Sequence, residues 1–407
     1  MKLSTMRRVD YWIGVPLCAL VSLVLWLVRC MRPSRTNAHT PRRVLLIELS
    51  EMGSALLAYP SMCRLREQYQ GVELFFLIFD RNRESVDLLG ILPPDHVLTI
   101  KDDDLLCFSL SLMKLCCTLW RVRCDVAIDL ELFSRCTAFL ALLSGAKIRV
   151  GFDNGRAEGL YRGTLHTHRV LFNHHRHMSE NFMAMVEALR GIEDPPYVKL
   201  GDFPTYPLPI FNPTSAQVER IHARLKARGV TPSQGADLVL LNPDPGILAL
   251  RGWPIENYAE LSRILLDRFP KIIILIIGLP AAEQFARQIM GRVPSQRLVN
   301  FVGGTDSLSE LLTLLSLARV LVTSDSGAAH FASMSRIHNF VFFGPETPAL
   351  YRPLGERTEV FFQGLACSPC LWAENHRDSS CRDNVCVRSI SAQAVAERVT
   401  TRVPIKT

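Results

Sequence analysis

From Val44 onward, short apolar runs alternate with amphipathic stretches, and this alternation narrows the folds open to the chain more than any other feature. Runs at Val44 to Leu49, Leu74 to Phe79, Val97 to Ile100, Val126 to Leu130 and Ile148 to Phe152 read as strands, with helical patterns at Leu56 to Gln68, Leu105 to Trp120 and Phe133 to Leu143 between them. Strands that are apolar on both faces and joined through helices make parallel βαβ units. A stretch with four prolines, Gly201 to Pro213, interrupts the pattern and reads as a linker. The alternation then restarts, with strands at Leu238 to Leu241, Ile272 to Ile277, Val299 to Val302, Val320 to Thr323, Phe340 to Phe343 and Val360 to Phe362. Helices are expected near Ile255 to Arg268, Ala281 to Met290 and Leu308 to Ala318. The expected architecture is α/β: two Rossmann-like domains whose parallel sheets face a cleft, over residues 41–200 and 215–407, joined by a linker at 201–214.

Residues 1–40 stand apart. Tyr11 to Val28 contains no charged side chain and is bracketed by Asp10 and Arg29. As a helix it extends about 27 Å, close to the thickness of a hydrocarbon core. Tyr11, Trp12 and Trp26 near its ends suit an aromatic belt, so a transmembrane helix over about 11–29 is expected, followed by a basic juxtamembrane segment. Lys2, Arg7 and Arg8 precede the run as in a signal peptide, but no small-residue cleavage site follows it. Arg29, Arg32, Arg35, Arg42 and Arg43 come after it, and the positive-inside bias then favours a single-pass membrane protein with a cytoplasmic main body. The net charge of +7, from 46 basic and 39 acidic residues, fits contact with a lipid bilayer better than with nucleic acid. Eight of the twelve cysteines are scattered before residue 140 without pairing pattern, which suits a reducing compartment.

The chemistry-bearing motifs fall at strand-to-helix turns. Thr323-Ser-Asp-Ser-Gly-Ala-Ala-His330 joins a strand to a small-residue helix beginning near Gly327, with Asp325 and Ser326 as caps. Helix starts of this kind leave N–H groups free for an anion, at the strand end where open α/β sheets bind ligands. Asn242-Pro-Asp-Pro-Gly246, Gly303-Gly-Thr-Asp-Ser307 and Phe343-Gly-Pro-Glu-Thr-Pro348 end three other strands, and Arg251 precedes a helix opened by Pro254. A guanidinium there can pair with phosphate through two hydrogen bonds. Together these turns point to a nucleotide-diphosphate site. In the first domain Ser50-Glu-Met-Gly-Ser54 replaces the G-x-G-x-x-G turn of dinucleotide-binding oxidoreductases, and neither a Walker A lysine nor an H-E-x-x-H pair occurs.

The chain resembles glycosyltransferase family 9, the heptosyltransferases, over roughly Val44 to Val399. The residues that carry the resemblance are Met52-Gly53, Tyr59-Pro60, Arg251-Gly-Trp-Pro254, Asn257-Tyr258, Asp325-Ser-Gly-Ala-Ala-His330 and Gly344-Pro-Glu-Thr-Pro348. The resemblance implies the GT-B fold. It implies inverting transfer of a heptose-like sugar from a nucleotide-diphosphate sugar to a membrane glycolipid of the lipopolysaccharide type, with no cofactor required for catalysis. Donor-binding residues carried over or read from the turns are Asn242, Arg251, Gly303, Thr305, Asp325, Ser326, Gly327, His330 and Gly344.

One departure matters. Heptosyltransferases read Met-Gly-Asp after the first strand, the aspartate serving as base, whereas this chain has Ser54. A serine hydroxyl is far too weak a base unaided. Glu51, in the same loop, is the first replacement; Asp129 and Glu131 at the end of the fourth strand are further candidates. Two rivals share the fold: a nucleotide-sugar-binding protein with weakened catalysis, and a nucleotide-sugar epimerase. Cys367, Cys370, Cys381 and Cys386, within a Cys-rich loop at 367–386, have a spacing compatible with a structural zinc, or with disulfides or free thiols. The histidines from His166 to His177 match no closed zinc pattern and are expected to line the acceptor side or face water.

Overall fold

The computed structural model describes residues 10–31, 40–132, 134–152, 160–190, 201–230, 237–373, 375 and 377–403. Lys2, Arg7, Arg8, Arg32, Arg35 and Phe133 lie outside the described residues. The chain divides into two compact units, Met1–Tyr206 and Pro207–Thr407, and the division falls inside the proline-rich stretch.

The first unit begins with α1 (Gly14–Met31), an apolar helix; the span from Asp10 to Val28 is long and apolar enough to cross a membrane. Then follow β1 (Arg43–Ile47), α2 (Met52–Gln68), β2 (Glu73–Phe79), α3 (Glu84–Asp87), β3 (Val97–Ile100), α4 (Leu105–Val122), β4 (Val126–Asp129), α5 (Cys136–Leu143), β5 (Ile148–Phe152), β6 (His168–Val170) and α6 (Met178–Glu187). All six strands run parallel in the order β3-β2-β1-β4-β5-β6. Leu115 and Leu119 of α4 and Leu140 and Ala141 of α5 share one core with Leu45, Ile47 and Leu77 of the sheet. These two helices therefore cover the same sheet face. Right-handed crossovers send α2 to the other face, where it packs against α6.

The second unit contains α7 (Ser215–Ala227), β7 (Asp237–Asn242), α8 (Ile255–Arg268), β8 (Ile272–Ile276), α9 (Glu283–Arg292), β9 (Leu298–Asn300), α10 (Leu308–Leu317), β10 (Val320–Ser324), α11 (Gly327–Ala332), β11 (His338–Phe342), α12 (Pro348–Tyr351), β12 (Thr358–Phe361), α13 (Val385–Arg388) and α14 (Ala392–Arg402). Its parallel sheet has the order β12-β11-β10-β7-β8-β9. Counted from the first strand of each unit, both sheets have the same doubly wound order. In each, the winding reverses between the first strand and the fourth: β1 beside β4, and β7 beside β10. Crevices at the carboxyl ends of such strand pairs are where open α/β sheets take ligands.

Candidate functional site

In the first unit the reversal point is lined with carboxylates. The β4 residue Asp129 pairs in register with Ile47 of β1 and is fully buried. His166 Nε2 lies 3.1 Å from Asp129 Oδ2, and Glu131 N–H donates to Asp129 Oδ1 at 3.2 Å. Gly151, beside Asp129 in the sheet, leaves room for that imidazole, because a Cβ there would collide with the His166 ring. Glu131 in turn secures the loop after β1. Its Oε1 accepts from Leu49 N–H at 3.2 Å, Ser50 N–H at 3.2 Å and Ser50 Oγ at 2.7 Å. The Arg162 side chain, also buried, donates to the carbonyls of Glu131 at 2.8 Å and Phe152 at 3.0 Å.

Burial pushes the carboxyls of Glu48 and Glu131 above the ordinary carboxylate range. For Glu48 the Glu131 and Glu51 charges add to the rise, while for Glu131 the Ser50 hydrogen bond opposes it. Glu51 and Ser54 differ from these groups in being half-buried. Glu51 holds the N-cap position of α2 and Ser54 stands one turn in, its hydroxyl donating to Glu51 Oε2 at 3.2 Å. Of the four base candidates, then, Asp129 and Glu131 are enclosed and committed to internal partners, whereas Glu51 and Ser54 form an accessible pair.

At the second unit's reversal point, Asn242 pairs in register with Thr323 and donates to its Oγ1 at 3.2 Å. Ser326 Oγ is 3.0 Å from the same hydroxyl and accepts from Ala329 N–H at 3.4 Å, capping α11, which is only six residues long. Arg251 reaches this place from the loop before α8. Its Nη1 donates to the Asp325 carbonyl at 3.2 Å, and its Nη2 lies 3.4 Å from Asp325 Oδ2 and pairs with Glu346. Glu346 is buried, and Arg377 Nε lies 2.9 Å from its Oε1. His330 Nε2 stands 3.9 Å from Asp325 Oδ1. Two guanidinium groups thus face two carboxylates. Buried Asn242 Oδ1 has no hydrogen-bond partner among the described residues. The sequence marks Glu346 only as part of the turn Gly344-Pro-Glu-Thr-Pro348, with no role of its own, and does not mark Arg377.

The supporting loop is firm. Trp253 packs 4.4 Å from Phe342 and 4.8 Å from Tyr258, centroid to centroid, and Tyr258 OH donates to the Asn242 carbonyl at 3.0 Å. Two other expected donor positions stand farther off. Gly303 and Thr305 follow β9, two strands from β7, so about 10 Å along the sheet. Gly303 serves its own turn, with φ +63° and an N–H bond to the Gly278 carbonyl at 2.9 Å. Gly344 follows β11, next to β10, but it is pressed against the core: a Cβ there would sit 2.6 Å from Val387 Cγ2 and 2.7 Å from Cys386 Sγ. Gly327 is exposed at the start of α11.

The zinc expectation finds no support. Among the described residues no group of three or more His, Cys, Asp or Glu side chains could hold a metal ion. Cys386 is buried against Gly344, Cys381 Sγ donates to the Asp383 carbonyl at 3.2 Å, Cys367 is exposed, and all four thiols, Cys370 included, are free. The histidine-rich segment also resolves into structural parts. His166 pairs with Asp129, His174 stacks edge-on to Phe172, and His177 caps α6 through Ser179 N–H.

A family model described as "Glycosyltransferase family 9 (heptosyltransferase)" matches residues 112–379. The chain belongs to this family. Among curated relatives, lipooligosaccharide heptosyltransferase 2 of Haemophilus ducreyi is 28% identical over 139 residues, 33% of this chain and 39% of that protein. Lipopolysaccharide heptosyltransferase 2 of Escherichia coli K12 is 25% identical over 111 residues, 26% of this chain and 31% of that one. The chain therefore spans about a third of the length of the curated relatives it matches. As a fold, the family 9 chain is similar to the Escherichia coli ADP-heptose LPS heptosyltransferase II structure (TM-score 0.65, 18% identity, 88% of this chain and 98% of that one). It is also similar to the Veillonella parvula family 9 structure (TM-score 0.67, 16% identity, 89% and 97%). The two six-stranded parallel sheets match the GT-B architecture of these proteins.

Proposed function

We propose that this chain is an inverting glycosyltransferase that moves a heptose-like sugar from a nucleotide-diphosphate donor to a lipopolysaccharide-type glycolipid at the cytoplasmic face of a membrane. The second unit holds the donor and the first supplies the base. The observation that carries the reading is the gathering of Asn242, Arg251, Asp325 and Ser326 at the β7–β10 reversal point of a chain in this family.

In the proposed reaction the acceptor oxygen attacks the anomeric carbon, its proton passes to a carboxylate, and the diphosphate leaves from the opposite face. Glu51 takes the proton. It is the accessible member of the first unit's acid cluster, and Ser54 orients it through the 3.2 Å hydrogen bond. This arrangement replaces the family's aspartate at position 54 with a two-residue device. Arg251 stabilises the departing diphosphate, its loose 3.4 Å contact with Asp325 giving way to phosphate oxygen while Glu346 keeps its hold on the guanidinium.

Thermal shift against a panel of nucleotide-diphosphate sugars tests the donor half. A binding donor raises the melting temperature of the second unit. If no nucleotide sugar or nucleoside diphosphate shifts it, the donor site is wrongly assigned. Glu51→Gln tests the base: turnover should drop by about 100-fold or more with donor affinity unchanged. Activity undiminished in that variant, together with a gain in Ser54→Asp, would instead mark a transferase whose catalysis is weakened by Ser54.

A further inference from the structure

The apolar helix α1 is not free of the domain behind it. Asp10 accepts from Arg135 N–H at 2.8 Å and from Arg135 Nη1 at 2.6 Å. Gly14 lies so close to the Arg135 stem that a Cβ would come within 2.9 Å of its Cδ. Cys18 is fully buried with Ala138 of α5 and Leu165. Ser22 Oγ accepts from Thr164 N–H at 2.8 Å, over Gly163, where any side chain would strike that hydroxyl. These four residues recur every fourth position and form one stripe of small and polar groups along the helix.

The stripe limits what α1 can cross. Asp10 to Ser22 runs alongside the domain for about 18 Å, which leaves about 13 Å of helix from Leu23 to Met31. A hydrocarbon core is about 30 Å thick. With its docking contacts made, α1 is too short to traverse it.

A second apolar surface lies on the same side of the unit. Helix α4 buries Leu115 and Leu119 in the core it shares with α5, and α5 in turn carries α1 through Ala138. On its outer side α4 exposes Leu106 (70%), Leu110 (54%), Met113 (58%) and Trp120 (68%), with exposed Cys117 between the last two. The spacing of four, three, four and three residues places all five on one narrow stripe. Exposed Lys114 and Arg121 flank the stripe, and Leu105–Val122 holds no acidic residue. An apolar stripe edged by cations suits the boundary between acyl chains and anionic headgroups.

We infer that α1 and α4 together form a monotopic membrane-docking surface, α1 lying along the domain in the interface of an anionic bilayer while the chain stays on one side of it. The inference rests on the proposed reading of α1 as a membrane anchor.

The test uses the full chain with an epitope at each terminus, expressed in a bacterial host and exposed to protease in spheroplasts and in inverted membrane vesicles. Both epitopes should resist digestion in spheroplasts and be cut in inverted vesicles. Cutting of the amino-terminal epitope in spheroplasts, with the carboxy-terminal one protected, would overturn the inference while leaving the anchor reading intact. Flotation of the purified protein with phosphatidylethanolamine–phosphatidylglycerol vesicles addresses the anchor itself, and a wild-type chain that stays unbound defeats both. The triple substitution L110D/M113D/W120D should weaken vesicle partitioning at least tenfold without lowering the melting temperature, since these side chains are exposed. Unchanged partitioning, or loss of a self-associated dimer in its place, would remove α4 from the surface.

Discussion

The two units share a strand order and place their candidate chemistry at the same topological point, yet they handle charge there in opposite ways. The first encloses Glu48, Asp129 and Glu131 with backbone N–H groups, hydroxyls and one imidazole, and among the described residues no guanidinium pairs with these carboxylates. The second sets Asp325 and Glu346 against Arg251 and Arg377. One topology thus carries carboxyls raised by burial at one strand pair and guanidinium–carboxylate contacts at the other. The fold supplies the location, and the residues at two strand ends supply the chemistry.

The comparison breaks most visibly at Arg251. Arg251→Ala leaves two buried carboxylates short of a cation, and the second unit should lose about 3–5 kcal/mol in denaturant unfolding followed through Trp253. A loss below about 1 kcal/mol would mean the guanidinium is not what keeps those acids in place. A smaller effect is expected in the first unit. Glu131→Ala strips the acceptor from two N–H groups and a hydroxyl, at about 1–3 kcal/mol, while Glu131→Gln, which keeps an acceptor oxygen, should recover most of it. Equal damage from both variants would point to charge and not hydrogen bonding as the role of Glu131.

The smallest effect sharpens the contrast through pH. Because burial raises the Glu48 carboxyl in the folded state, the folded chain binds its proton more tightly than the unfolded chain. Its contribution to stability is complete below the ordinary carboxylate value and is lost as pH rises through the elevated folded value. Glu48→Gln should therefore melt higher than wild type at neutral pH, and the gain should shrink on acidification towards the ordinary carboxylate range. A gain that is constant with pH would place the effect in packing.

Most of the fold was legible because its strands are apolar on both faces: every expected strand appears, with ends displaced by at most two residues. The strand β6 escaped notice because it is three residues long and only Val170 is buried. Helix α6 was hidden behind histidines that suggested a site and proved to be caps and ring contacts. At the candidate site, Asn242, Arg251, Asp325 and Ser326 were legible from turn chemistry and from the family resemblance. Glu346 was not, because an acid in a proline-flanked turn looks solvated until its burial is known. The docking of α1 was also illegible: Asp10 and Arg135 are 125 positions apart, and an apolar run alone reads as a free span.

The Trp253 loop carries a consequence for how the protein is made. Ile390 accepts hydrogen bonds from Trp253 Nε1 and Asn257 Nδ2, and Asn384 donates to the carbonyls of Leu250 and Gly252. These partners lie 132 to 137 positions further along the chain. At about 5–20 residues per second, the ribosome delivers them roughly 7 to 27 s after the loop itself. Until then, the loop that presents Arg251 has neither its clamp nor its tryptophan's hydrogen-bond acceptor. A nascent chain can thus complete its first sheet well before the loop that presents Arg251 is held in place.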